Sequence, residues 1–190
     1  MKKPLFMSLI AAAGLSGCLT EETGELSLNI TDAAVTNAQS VTLSVAGVTI
    51  KGPNGQQKFQ FLGDDNEPEA KEIELLSLAG LESLALIDVW TLPAGEYQWL
   101  RLDVNTSEEM DSYVELDTGD VHEITIPSGE LKLVSGFTIP ANGSAEFTVD
   151  VDLYKGLVLA NGKYKLKPTM RLIDNSTAGH IEGDVDGQIF

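Results

Sequence analysis

Phe147, Val149, Val151 and Leu153 alternate with Thr148, Asp150 and Asp152 without a fault. A strand sends successive side chains to opposite faces, so this spacing buries one face, wets the other and leaves a helix no continuous apolar stripe. The same period recurs in Leu26-Leu28-Ile30, Val41-Leu43-Val45, Val48-Ile50, Leu100-Leu102-Val104 and, from Lys163 to Ile173, Tyr164-Leu166-Met170-Leu172. Ala46-Gly47 interrupts the second and third of these and predicts a bulge at Gly47. Lys51-Gly52-Pro53-Asn54-Gly55, Asp117-Thr118-Gly119-Asp120 and Ala141-Asn142-Gly143 are turns by composition, the second a hairpin. Roughly eight to ten short strands with such punctuation predict an all-β chain folded as an antiparallel β-sandwich.

Two segments add detail. Between Ile73 and Trp90 the apolar residues recur nearer three and four than two, which predicts a strand end and then one short amphipathic helix over Leu78–Ile87. If Asn161-Gly162 closes a two-residue hairpin, Leu159 opposes Tyr164, Leu157 opposes Leu166, Leu153 opposes Met170 and Asp152 opposes Arg171, with both faces chemically consistent. Pro168 lacks an amide donor and puts that strand at an edge or a bulge. A last short strand is expected near His180–Val185. A transmembrane barrel would also alternate, and the chain ends in Phe190, but only 6% of residues are aromatic and the strands are short for a membrane-spanning wall.

The N-terminus has a different grammar. Lys2 and Lys3 precede an uncharged apolar run from Leu5 to Leu15, then Ser16, Gly17 and Cys18, the order of a secretory signal peptide. The run is too short to span a bilayer, which takes roughly 20 residues. Leu15-Ser16-Gly17-Cys18 resembles the bacterial lipobox, whose cysteine is acylated on sulphur, exposed by cleavage and acylated again on its new amine. This predicts a signal peptide over 1–17, a lipidated Cys18 opening a tether over 18–24, and a single domain over 25–190. Palmitate and diacylglycerol would fasten it to the membrane, since multiple chains hold where one does not. Cys18 is the only cysteine, so no internal disulfide forms. Leu19 stands where enterobacterial lipoproteins retained at the inner membrane carry Asp, which points to the outer membrane of a Gram-negative bacterium.

The formal charge of −17 disfavours nucleic acid and an anionic bilayer surface as partners, and leaves Ca²⁺ as the cofactor to consider. Asp64-Asp65-Asn66-Glu67 is dense in acid, but Pro68 stands where an EF-hand loop needs Gly. Asp184 and Asp186 open like a calcium loop that lacks its closing glutamate, and Asp150 and Asp152 share a strand face with Asp103 as a candidate neighbour. His122 and His180 lie in no ligand or nucleophile motif, and no G-x-S-x-G elbow exists, so a non-enzymatic chain is expected. A periplasmic enzyme or processing factor acting on envelope material is the alternative. Tyr97, Trp99 and Arg101 are read onto an outward sheet face, where aromatic rings stack sugars, unless the Leu78–Ile87 helix lies over them.

Five blocks resemble a known bacterial lipoprotein family, domain of unknown function 4382: LSLNITDAAV from Leu26, LPAGEYQWLRLDV from Leu92, IPSGELKLVSGFTI from Ile126, FTVDVDLYKGLV from Phe147 and GKYKLKPTMRLI from Gly162. The resemblance implies a surface or periplasmic β-sandwich akin to transthyretin-like, immunoglobulin-like or carbohydrate-binding-like folds, and brings no catalytic residues. The expectation is an acyl-anchored cell-envelope lipoprotein whose partners are the membrane, through its lipid, and a glycan or an envelope protein.

Overall fold

In the computed structural model, residues 21–33, 37–80 and 82–178 are described. The signal peptide, Cys18, and the strand expected near His180–Val185 lie outside them. Alternation becomes strand almost throughout. The spine is β2 (Ala38–Gly52), 15 residues long, which carries different neighbours along its two halves. Its first half pairs with β4 (Lys71–Glu74) and β8 (Tyr113–Leu116); its second half pairs with β3 (Gly55–Gln60) and β7 (Trp99–Val104). The halves meet at the expected bulge, where the pairing with β7 shifts between Val45 and Gly47. Gly47 is required there, because a Cβ would stand 2.3 Å from the Phe59 carbonyl oxygen.

Beyond β7 lies β10 (Glu130–Leu133), and beyond β8 follow β9 (Val121–Thr125), β14 (Lys163–Leu166) and β13 (Leu157–Ala160), completing a nine-stranded sheet. The opposing sheet has four strands in the order β15 (Met170–Asp174), β12 (Ser144–Asp152), β1 (Thr23–Ala33), β5 (Leu84–Pro93). A short pair, β6 (Gly95–Tyr97) with β11 (Phe137–Ile139), closes one end. Leu26, Leu28 and Ile30 of β1 and Val149 and Val151 of β12 join Leu43, Val45, Val48 and Ile50 of β2 and Leu102 of β7 in a single core, all fully buried. Each such side chain removed from water contributes roughly 1.5–3 kcal/mol before entropy is counted. The molecule is an all-β sandwich with both sheets open.

The sheets are mixed where strict antiparallel order was expected: β1 runs parallel to β12 over nine residue pairs, and β9 runs parallel to β14. The expected helix over Leu78–Ile87 is absent. Leu76–Leu78 form one 3₁₀ turn, and Leu84–Pro93 is β5. Its pairing with β1 shifts register twice, bringing both Leu86 and Ile87 into the core, and the Ser27 hydroxyl donates to the displaced Asp88 carbonyl at 2.5 Å. The apolar spacing that mimics a helix in the sequence runs on through side chains that β5 leaves exposed, Leu84 and Val89. The one short helix is instead α1 (Leu153–Gly156), whose N-cap Asp152 accepts from the Lys155 amide.

That helix also resets the last hairpin. Leu159 opposes Tyr164 and Leu157 opposes Leu166 as expected around Asn161-Gly162. Past α1 and Pro168 the register has moved by two, so Val151, not Leu153, opposes Met170, and Asp150, not Asp152, opposes Arg171. A shift of two preserves the faces. It changes only the partners.

Candidate functional site

The outward face of β3, β2, β7 and β10 holds the candidate site. Cα pairing places three rows across it: Gln56, Lys51 and Trp99; Lys58, Thr49, Arg101 and Lys132; Gln60, Gly47, Asp103 and Glu130. Leu100, Leu102, Leu131 and Leu133 point the other way into the core and fix the orientation of these strands. Trp99 is half-buried on this face, with the Lys132 ammonium 4.2 Å and the Arg101 guanidinium carbon 5.9 Å from its ring centroid. Both are within range for a cation over an aromatic face.

Arg101 is the organiser. Its Nε donates to Asp103 Oδ1 at 2.6 Å, its Nη1 to Glu130 Oε2 at 2.6 Å and its Nη2 to Thr49 Oγ1 at 3.3 Å. The Thr49 hydroxyl in turn donates to Asp103 Oδ2 at 2.7 Å, and Lys58 Nζ stands 3.6 Å from the same oxygen. Burial alone would lower the Arg101 pKa; the hydrogen bond and charge of Asp103, with Glu130, outweigh it and hold the pKa above its ordinary value. The guanidinium is therefore a fixed cation locked in plane. Lys51 and Lys132 have no carboxylate partner among the described residues.

Tyr97 does not belong to this face, contrary to the outward reading. The chain crosses at Gln98, whose amide donates to the Lys51 carbonyl at 2.8 Å, so Tyr97 lies in β6 and is 2% exposed. Its ring stacks on Phe137 with centroids 5.1 Å apart and planes 14° apart, and its hydroxyl donates to the Pro93 carbonyl at 2.8 Å. Burial, and secondarily the Glu21 charge, push its phenol above the ordinary range. Among the described residues no helix lies over Trp99 either, since the segment expected to do so is β5.

The carboxylates considered for calcium are separated. Asp103 sits in the nine-stranded sheet, Asp150 and Asp152 at the end of β12 in the other. Asp150 accepts from Arg171 Nε at 2.5 Å, and Asp152 accepts from Lys155 Nζ at 2.6 Å. The side-chain and then the backbone hydrogen bond from Lys155 hold the Asp152 carboxyl below the usual range. Among the described residues no three His, Cys, Asp or Glu side chains come together with the spacing to hold a metal ion. Asp184 and Asp186, like Cys18 and His180, lie outside the described residues. His122 packs on the Tyr164 ring, centroids 5.4 Å apart.

Lys51, Lys58, Thr49, Glu130 and Lys132 were not singled out by the sequence. Lys132 alternates with Leu131 and Leu133, a visible signal for an outward residue, but nothing local says which strand lies beside it. Together the geometry defines a β-sandwich with a cation-flanked tryptophan on an open sheet face. The chain belongs to the family described as a domain of unknown function (DUF4382), which matches residues 23–168 and so takes in everything from β1 through β14. No curated protein and no solved structure matches it. No helix among the described residues is long and apolar enough to cross a membrane.

Proposed function

We propose that this chain is an acyl-anchored lipoprotein of the Gram-negative outer membrane, non-enzymatic, whose sandwich binds carbohydrate on the face around Trp99. The observation that carries the binding half is the pairing of a half-buried indole with polar and charged neighbours on an outward sheet face. A pyranose presents apolar CH groups to such a ring and hydroxyls to the Lys51 and Gln56 side chains of the same row. The anchoring half rests on Leu15-Ser16-Gly17-Cys18.

Each half has its own test. Glycan-array binding is expected to disappear in Trp99→Ala while the melting temperature stays put, and a protein that binds no sugar at millimolar concentration refutes that half. Cys18→Ser is expected to move the protein from the envelope pellet to the soluble fraction; unchanged sedimentation refutes the other.

A further inference from the structure

We infer that the saccharide bound at Trp99 is acidic, a sugar carrying a carboxylate such as a uronic acid unit; this rests on the carbohydrate reading above and narrows it. In a chain of net charge −17, this face gathers Lys51, Lys58, Arg101 and Lys132 against Asp103 and Glu130. The two acids are spent on Arg101, and Asp103 also takes Lys58. What is left over is Lys51 on the strand beside Trp99 and Lys132 over its ring, neither with a carboxylate partner among the described residues. A sugar ring seated on the indole therefore has ammonium groups from both neighbouring strands within reach of a ring substituent. A neutral sugar would leave Lys51 without a carboxylate and Lys132 held by the indole alone; a carboxylate takes charge-assisted hydrogen bonds from both.

The remaining negative charge does not cancel this. At physiological salt the screening length is about 8 Å, so a ligand on Trp99 feels chiefly the six charges of this face and Glu21 in contact with the adjoining β2–β3 turn, which together remain positive. An extended anionic membrane plane fits less well, because it would also press against Asp103 and Glu130. Arg101 already has its carboxylates and flanks the indole rather than receiving the ligand.

The test uses the full chain carrying Cys18→Ser, so that no lipid drives association, and an oligomer of galacturonic acid beside the same oligomer with its carboxyls methyl-esterified. Calorimetric titration at low salt is expected to show the free acid bound at least about tenfold tighter than the ester, with the preference shrinking as salt is added. Lys51→Met with Lys132→Met is expected to erase the preference, whereas Lys163→Met with Lys167→Met, which removes equal charge elsewhere, keeps it; thermal melts of both confirm folding. Equal binding of acid and ester overturns the inference and leaves the carbohydrate reading standing. Binding of neither overturns both. Capture by anionic phospholipid vesicles with no oligomer bound replaces the saccharide with a lipid surface and overturns it as well.

Discussion

Tyr97 and Trp99 are two residues apart, and the structure assigns them opposite jobs, so the pair provides a sharp test of the chain crossing at Gln98. Replacing Tyr97 by Phe removes only the hydroxyl that donates to the Pro93 carbonyl at 2.8 Å, leaving the stack on Phe137 intact. One neutral buried hydrogen bond is worth about 1 kcal/mol net. For a domain of this size that lowers the melting temperature by roughly 2–4 °C. Tyr97→Ala also empties a site that is 2% exposed and removes the ring stacked on Phe137, leaving it only the edge contact with Phe147. By analogy with buried Phe→Ala changes the cost is about 3–5 kcal/mol, or roughly 6–20 °C. Trp99→Ala, on the half-buried outer face, is expected to cost far less stability while removing the binding platform. Thermal melts followed by circular dichroism measure all three. The phenol adds a pH signature. Its folded pKa is raised above the ordinary value of 10.0, so its contribution is fully present below that value and is lost as pH rises through the folded one. Wild type should therefore lose stability at alkaline pH more steeply than Tyr97→Phe. If Tyr97→Ala melts like wild type and instead abolishes sugar binding, Tyr97 faces outward and the crossing at Gln98 is wrong.

Two further substitutions probe the register and the close packing. A double-mutant cycle on Asp150 and Arg171 should return a coupling of about 0.5–1 kcal/mol, modest because the Arg171 side chain is 76% exposed, and the same cycle on Asp152 and Arg171 should return much less. The reverse ranking would restore the unshifted hairpin. Gly52→Ala drives a Cβ to 2.2 Å from the Tyr97 ring and should cost about 1–3 kcal/mol by chemical denaturation, most of it relieved in a Tyr97→Ala background where the ring is gone. Equal costs in the two backgrounds would show that the ring does not rest on Gly52.

What alternation could reveal, it revealed: the faces of β1, β2, β7 and β12 are those read from Leu26, Val41, Leu100 and Phe147, and the Gly47 bulge stands where Ala46-Gly47 breaks the period. It fails where backbone irregularity changes the count. In β5 the exposed Leu84 and Val89 lend the strand apparent helical spacing, while two register shifts against β1 bury Leu86 and Ile87 side by side, and the Ser27 hydroxyl that reaches the Asp88 carbonyl comes from 61 residues away. In the last hairpin α1 takes up four residues between β12 and β13, and no local signal separates Leu153 continuing a strand from Leu153 starting a turn. The parallel pairing of β1 with β12 is a choice of neighbour, made over a separation of more than a hundred residues. Periodicity carries faces, not neighbours.

The same distinction governs the candidate site. Trp99 and Arg101 could be placed on one outward face from β7 alone, and were. Tyr97 could not be separated from them, because period two extends through Gln98 on paper and only the β6–β11 pairing shows the chain leaving the sheet there. Lys51, Lys58 and Lys132 come from three other strands, and their meeting at Trp99 exists only once β2 is paired with β3 and β7, and β7 with β10. A net charge of −17 is silent on this. Total charge sets solubility and long-range encounter, whereas a bound group responds to charges within about one screening length. An acidic chain can therefore present a cationic binding face when alternation puts lysine and arginine on the same side of adjacent strands and spends its acids on locking them. Here each row joins the β2–β3 hairpin to strands far from it in sequence, so the total charge that disfavours nucleic acid and an anionic bilayer is no guide to the acidic saccharide proposed for this face.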